Sequence, residues 1–278
     1  SSGLVAGKSI GTVLLTSSGS AAGTVAGTYA ITPSNAVGGT FNPINYSITY
    51  IDGEMVVNPL PTLTGASQDA TVCEDNTATI NLEGLLAGST FTLEYSVNSV
   101  AQTPIVGLTA DGLGNSSFTT PVLSDDNDGD VLQITGITIT SETPNCSQSF
   151  SQDVILSVDP LPTLSNVSQA ASVCNGSAAT INLSGLLPGS VSSVSYTIDG
   201  GVPLQVTGII ANVSGNTSFT TSALTLANDG QTLQIIEIEN ETTGCVQTFT
   251  QNVILKVDPE GVGGTAAATD SYVCQNNI

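Results

Sequence analysis

The most constraining feature of this chain is an internal repeat. The stretch from Asn58 to Asp159 recurs, almost in register, from Asp159 to Asp258. Asn-Pro-Leu-Pro-Thr-Leu at residues 58–63 returns as Asp-Pro-Leu-Pro-Thr-Leu at residues 159–164, a step of 101 residues. After a two-residue deletion, residues 150–159 match residues 249–258. A unit of about 100 residues is long enough to bury its own core, so the repeat predicts tandem domains.

The repeat boundaries predict four segments. Because Ser-Tyr-Val-Cys at residues 271–274 echoes Ala-Thr-Val-Cys at residues 70–73, we expect a third copy to begin near the C-terminus. The joints carry two prolines in three residues, which restricts them to extended conformations, so we expect the domains to line up as an elongated rod. The predicted segments are 1–57, the C-terminal part of a truncated β-domain; 58–158 and 159–258, two β-sandwich repeats; and 259–278, the start of a truncated third repeat.

The hydrophobic periodicity inside each repeat is two. Phe91, Leu93 and Tyr95 alternate with polar residues, and so do Ile80 and Leu82. Turn signals separate about seven such segments in each repeat, a spacing typical of antiparallel sandwiches. The sequence therefore predicts an all-β protein made of tandem antiparallel immunoglobulin-like β-sandwiches.

Residues 1–57 form a different predicted unit with little apolar bulk. We predict strands at residues 11–15, 27–31, 45–50 and 54–57, with Asp52-Gly53 as a hairpin turn joining the last two. So short a unit can form only a thin core.

Composition excludes several classes of function. The net charge is −21, and Lys8 and Lys256 are the only cations, so neither nucleic acid nor anionic lipid would be attracted. The sequence has no apolar run long enough to insert into a membrane. Without histidine, it has no Ser-His-Asp or Cys-His pair, and its acids fall mostly in turns. We therefore expect no enzymatic activity and no cofactor, calcium being the one candidate ion.

The five cysteines occupy matched positions in the repeats. Cys73 and Cys174 are equivalent, as are Cys146 and Cys245. The simplest pairing is Cys73 with Cys146 and Cys174 with Cys245, one disulfide per repeat, which leaves Cys274 unpaired by truncation. Such bonds indicate an oxidising, extracellular location. The alternative is buried free thiols.

One acidic turn has the chemistry of a calcium site. Hard oxygen ligands crowded in a turn suit Ca²⁺, but the second copy keeps the turn and loses most of the acids. The alternative is a hairpin turn whose charges are solvated. The candidate ligands are Asp125, Asp126, Asp128 and Asp130.

Two parts of the chain resemble known bacterial surface modules. The segment Gly-Thr-Tyr-Ala-Ile-Thr at residues 27–32, followed by Gly-Gly-Thr-Phe-Asn-Pro-Ile-Asn-Tyr-Ser-Ile-Thr-Tyr at residues 38–50, resembles the end of an MBG domain, a bacterial immunoglobulin-like surface repeat. The repeats and their Asn-Pro-Leu-Pro joints resemble the adhesin modules of Bacteroidota, of the giant gliding-motility type exported by type IX secretion.

These resemblances imply a function on the bacterial cell surface. The expected role is the stalk of a large extracellular adhesin that mediates attachment or gliding. The expected partners are neighbouring repeats of the same chain and surface polysaccharide or the substratum. Two alternatives remain open, a carbohydrate-binding accessory module of a secreted enzyme and a filament subunit that exchanges strands.

Overall fold

The computed structural model describes residues 3–261, and every regular element in that range is a β-strand or a short 3₁₀ helix. The 3₁₀ helices are Ser18–Ser20, Pro43–Asn45, Asp125–Asn127 and Leu226–Asn228. The strands are β1 (Ile10–Thr16), β2 (Gly27–Gly39), β3 (Gly53–Val57), β4 (Gly65–Gln68), β5 (Val72–Cys73), β6 (Thr77–Glu83), β7 (Thr90–Val97), β8 (Val100–Ala101), β9 (Ile105–Thr109), β10 (Ser116–Val122), β11 (Val131–Ile139), β12 (Cys146–Ile155), β13 (Val158–Asp159), β14 (Asn166–Gln169), β15 (Val173–Cys174), β16 (Ala178–Ser184), β17 (Val191–Ile198), β18 (Leu204–Ile210), β19 (Asn216–Ala223), β20 (Thr232–Asn240), β21 (Val246–Thr248), β22 (Asn252–Ile254) and β23 (Val257–Asp258).

The chain forms two compact units, Ser1–Val158 and Asp159–Ile278. The first unit contains the N-terminal sheet (β1 to β3) and the first sandwich (β4 to β12). The second unit contains the second sandwich (β14 to β23). The predicted third repeat lies largely outside the described residues.

The N-terminal sheet has the order β1-β2-β3 and is antiparallel throughout. The long strand β2 pairs with β3 through its first half and with β1 through its second half. Few of its side chains are buried, and large apolar residues stay exposed, Leu15 at 62% and Val56 at 60%. The N-terminal sheet therefore has a thin core, as the sequence predicts.

The predicted strand at residues 45–50 does not form, and neither does the predicted hairpin at Asp52-Gly53. Asn42 instead caps the 3₁₀ helix that begins at Pro43, and the following chain is irregular. Its side chains bind locally: the Tyr46 ring packs on Phe41 with centroids 5.1 Å apart. Strand β3 consequently pairs with β2 rather than with residues 45–50.

The first sandwich packs a three-stranded sheet, β10-β6-β4, against a five-stranded sheet, β12-β11-β7-β8 with β9 also on β7. The predicted alternation holds in both sheets: Ile80, Leu82, Phe91 and Leu93 are completely buried. Tyr95 and Phe118 join the core as a tilted ring pair with centroids 5.4 Å apart.

The second sandwich repeats this architecture, with sheets β14-β16-β19 and β18-β17-β20-β21 plus β22 on β20. Its core residues occupy equivalent positions: Ile181 and Leu183 are buried, and Tyr196 pairs with Phe219 at 5.1 Å. The prediction of an all-β fold of tandem antiparallel immunoglobulin-like sandwiches is confirmed.

Candidate functional site

The most regular polar feature of both sandwiches is a glutamine that ties the first strand to the last one, which we call the Gln clamp (Gln68 in the first sandwich, Gln169 in the second). Gln169 Nε2 donates to the carbonyls of Ala171 at 2.7 Å and Lys256 at 3.0 Å, and Lys256 N donates back to Gln169 Oε1 at 2.8 Å. Two of these three hydrogen bonds join segments 87 residues apart, and the third fixes the side chain to the backbone two residues on.

The first sandwich has the same clamp. Gln68 Nε2 donates to the carbonyls of Ala70 at 2.6 Å and Ser157 at 2.9 Å, and Ser157 N donates to Gln68 Oε1 at 2.9 Å. The Thr71 and Ser157 hydroxyls add a further contact at 3.0 Å. Sequence reasoning missed this feature, although the glutamine recurs at the repeat step of 101 residues.

A buried threonine forms a second recurring contact, in the three-stranded sheet. Thr221 Oγ1 accepts from Ala179 N at 3.0 Å and donates to Ser222 O at 2.7 Å. In the first sandwich, Thr120 accepts from Ala78 N at 2.9 Å. The pairing register of the strands shifts at both places. The threonine hydroxyl therefore provides an acceptor for a backbone amide that has no partner in the irregular strand pairing.

The acidic turn does not gather its carboxylates around a common point. Asp125 and Asp126 lie in the first turn of a 3₁₀ helix, where the partial positive charge of the free amides favours them. Asp130 accepts hydrogen bonds from the side-chain amides of Asn98 and Asn127. Within residues 3–261 no three acidic or cysteine side chains are grouped closely enough to hold a metal ion. Calcium binding at this turn stays a prediction.

The remaining acid of the turn, Asp128, supports the backbone. Asp128 Oδ1 accepts from Val158 N at 2.9 Å, and the equivalent Asp229 Oδ1 accepts from Val257 N at 2.9 Å. Each aspartate thus holds the last strand of its sandwich against the turn. This contact explains why the second copy keeps this acid while it loses others.

An exposed turn follows β9 in the first sandwich and β18 in the second. Asp111 Oδ1 accepts from Leu113 N and Asn115 N, both at 2.8 Å. The hydrogen bonds from Asn115 and Leu113 lower the pKa of the Asp111 carboxyl below its usual value. In the second sandwich Asn212 accepts the equivalent two bonds without a charge.

Both predicted disulfide pairs are wrong. Cys146 and Cys174 are free thiols, whereas Cys73 and Cys245 are each disulfide-bonded. Each predicted pair therefore combined one free thiol with one disulfide-bonded cysteine. Cys274 lies outside the described residues.

The physical reason is the length of the sandwich. Cys146 begins β12, a strand of 10 residues that spans roughly 30 Å. Cys73 lies beyond the other end of that strand, because its neighbour Val72 donates to Ser157 O. A disulfide needs Cα atoms within about 7 Å, so one sandwich cannot bring its two cysteines together.

An apolar cleft of about 580 Å³ lies in the N-terminal sheet region. Phe41 and Tyr46 line it, and the Tyr50 hydroxyl accepts from Ala36 N at 2.9 Å. The sandwiches carry shallower grooves beside β9 and β10, about 540 Å³, and beside β18 and β19, about 450 Å³.

Comparison with known protein families gives one match, at the N-terminus. Residues 1–56 match the family described as MBG domain (YGX type), which confirms the resemblance at the N-terminus. No curated protein sequence matches the chain. No helix within residues 3–261 has the length and apolar character required to cross a bilayer.

Several solved structures are distantly similar to the chain. They include a marsupial T cell receptor, 13% identical over 72% of this chain and 74% of that one, with a TM-score of 0.44. A three-domain titin fragment is 13% identical over 84% of this chain and 75% of that one, with a TM-score of 0.37. An ICAM-5 ectodomain fragment is 13% identical over 83% and 61%, with a TM-score of 0.32. Similarity this distant carries no functional argument.

Proposed function

We propose that this chain is part of the stalk of a large extracellular bacterial adhesin that mediates surface attachment or gliding. The observation that carries the proposal is the Gln clamp, which joins the first and last strands of each sandwich in the same way. A stalk must transmit tension through its modules. The neighbouring segments of the chain apply that tension to the first and last strands of each sandwich.

The strand directions suit this role. In the second sandwich β15 runs parallel to β23, with Val173 N donating to Lys256 O at 3.2 Å and Asn175 N to Asp258 O at 2.9 Å. Pulling the two ends of the module apart slides these strands along each other. All the hydrogen bonds between them, and the Gln clamp beside them, are then strained together and must break together. Strands peeled apart from one end would lose their bonds one at a time.

The composition fits an exposed, extended protein. A net charge of −21 keeps successive modules from collapsing on one another. Surface polysaccharide or the substratum is the proposed partner of the whole adhesin, and neighbouring repeats are the partners of each module. The MBG match at residues 1–56 supports a repeat module of the extracellular type.

The proposal is tested on cells of the source bacterium. Antibodies against residues 58–258 should label intact cells, and deleting those residues should reduce attachment under flow while the remainder of the protein stays at the surface. Labelling only after permeabilisation would refute the extracellular stalk. A matched strain with Gln68→Ala and Gln169→Ala should attach normally at low flow and detach earlier at high flow.

The two alternative functions predict different results. A carbohydrate-binding module requires exposed aromatic rings, but Tyr95, Phe118, Tyr196 and Phe219 of the sandwiches pack in cores. Competable binding on a glycan array would favour it nonetheless. A strand-exchanging subunit would form polymers in solution scattering, where a stalk gives an elongated monomer.

A further inference from the structure

Both sandwiches leave the same side of their two sheets open. In the first sandwich, β10 is the terminal strand of the three-stranded sheet, and β9 lies beside it at the edge of the five-stranded sheet. In the second sandwich, β19 and β18 occupy these positions. Within residues 3–261 neither β10 nor β19 pairs with a strand on its outer side. The backbone N–H and C=O groups that an edge strand directs away from its sheet can pair with a further strand.

A groove runs along this open side in each sandwich, and we call it the edge groove (between β9 and β10 in the first sandwich, between β18 and β19 in the second). The linings of the two edge grooves correspond at the repeat step of 101 residues: Gly107 matches Gly208, and Ser117 matches Ser218. The two serines are exposed. The same concave surface therefore recurs in both repeats.

The glycine shapes the edge groove. Gly107 has φ +76° and Gly208 has φ +68°, and a Cβ at either position would meet no atom within 4 Å. The pairing of β9 with β7 and of β18 with β17 shifts its register beside these glycines, so β9 and β18 bend there. The bend disfavours strand pairing along β9 and β18, which leaves β10 and β19 as the edges that can accept a partner.

Exposed apolar side chains accompany both edge grooves. Leu113, in the turn that joins β9 to β10, is 85% exposed, and Val213, in the equivalent turn of the second sandwich, is 91% exposed. In the part of the chain that the structure describes, these are the most exposed large apolar side chains of their sandwiches. A strand added to β10 or β19 would find an apolar contact at the same end of each groove.

Charge selects the kind of strand that fits. Asp111 lines the first edge groove, and in the second Glu241 Oε1 accepts from Gly208 N at 2.8 Å. The cations of the chain, Lys8 and Lys256, belong to neither lining. A second copy of the chain would bring a further charge of −21 and be repelled, whereas a basic strand would be attracted.

We propose that each edge groove binds an extended basic polypeptide segment, which pairs with β10 or β19 as an added strand and covers Leu113 or Val213 with an apolar side chain. In this mode of recognition, main-chain hydrogen bonds give affinity and alternate side chains give specificity. The partner is therefore a protein with an exposed segment in which basic and apolar residues alternate. This inference goes beyond the proposed stalk function and does not depend on it.

The first test uses the full chain and a fluorescent synthetic peptide, Lys-Val-Thr-Val-Lys-Val-Thr with blocked ends. Fluorescence anisotropy should show saturable binding at two sites per chain. Hydrogen exchange should slow at the backbone amides of β10 and β19 when the peptide is added. No binding, or protection confined to other strands, would overturn the proposal.

Two control peptides separate the parts of the argument. One carries glutamate in place of both lysines and tests charge. The other is N-methylated at its three central amides, which removes the backbone donors and keeps the side chains. Each should bind about tenfold more weakly than the parent peptide. Equal binding of the glutamate peptide would refute the basic partner, and equal binding of the methylated peptide would refute strand addition.

The second test changes the protein. Ser117→Lys together with Ser218→Lys places a cation in each edge groove and should weaken binding of the parent peptide about tenfold. The matched control, Ser149→Lys with Gln247→Lys, adds the same charge to β12 and β21 at the opposite edges of the five-stranded sheets and should leave binding unchanged. Equal losses in the two variants would overturn the proposal.

Two further readouts keep this test decisive. Circular dichroism should show that the variants fold; if the double variant does not, Ser117→Lys alone should reduce the stoichiometry from two sites to one, and an unchanged stoichiometry would overturn the proposal. Solution scattering tests the other occupant. A dimer of the original chain that the groove lysines abolish would identify a second copy as the partner and would refute the basic segment.

Discussion

Replacing Gln169 with alanine removes the Gln clamp of the second sandwich and leaves the core untouched. The substitution deletes three hydrogen bonds, two to carbonyls and one from Lys256 N. Strand β23 then keeps its backbone pairing with β15, but the residue before it loses its side-chain link to β14. The predicted consequence is a weaker link between the first and last strands of this sandwich.

The magnitude follows from the surroundings of the clamp. A hydrogen bond within a protein contributes about 1 kcal/mol net. Gln169 is half-buried and Lys256 exposed, so water can replace part of what is lost. We therefore expect a loss of about 2 kcal/mol in the free energy of unfolding of the second sandwich. With a typical dependence on urea, its midpoint should fall by about 1 M.

Hydrogen exchange followed by mass spectrometry over a urea series measures this loss, because it reports each sandwich from its own peptides. The control is Gln247→Ala on β21, an exposed glutamine in the same sandwich, which should change stability by less than about 0.5 kcal/mol. The first sandwich serves as an internal reference. Equal, small losses for Gln169→Ala and Gln247→Ala would refute the clamp and the tension argument built on it.

Three further predictions test other contacts. The lowered pKa of Asp111 means that its stabilisation is present above the usual aspartate pKa and is lost as the pH falls through the lower folded value. Asp111→Asn should therefore reduce the acid sensitivity of the first sandwich below the usual aspartate pKa, and unchanged acid unfolding curves would contradict this. Thr221→Val leaves the buried Ala179 N–H without its acceptor and should cost about 2 kcal/mol in urea unfolding, whereas Thr221→Ser should keep most of the stability. Gly215→Ala drives a Cβ into the Leu186 carbonyl oxygen at φ +73°, whereas Gly189→Ala at φ +76° meets open space, so the first should lower the thermal midpoint clearly more than the second.

The core could be predicted from the sequence because, in a sandwich, the side chains that alternate along a strand with a period of two all face the buried side of the sheet. Residues such as Phe91 and Leu93 can be buried together only if the strand has a period of two. The irregular segment after Pro43 could not be predicted in this way. Its alternating tyrosines fit a strand pattern equally well, and the cleft that Tyr46 and Phe41 form appears only in three dimensions.

The disulfide prediction failed for a different reason. The repeat correctly identified which cysteines are equivalent, but equivalence carries no information about distance within a copy. The length of β12 supplies that distance and excludes a bond between Cys73 and Cys146. A count of strand residues between the two positions would have raised this objection from the sequence alone.

The comparison of the two copies also sorts polar residues by what they do. Gln68 and Asp128 keep their identity in the second copy, and each makes the same hydrogen bonds to the last strand there. Asp111 becomes asparagine, and only the acceptor oxygen is kept. The side chain that must donate and accept at once stays glutamine, because no other side chain of that length can do both. Polar residues that keep their identity in both copies therefore mark the contacts that stabilise each sandwich. In this chain those contacts involve the first and last strands.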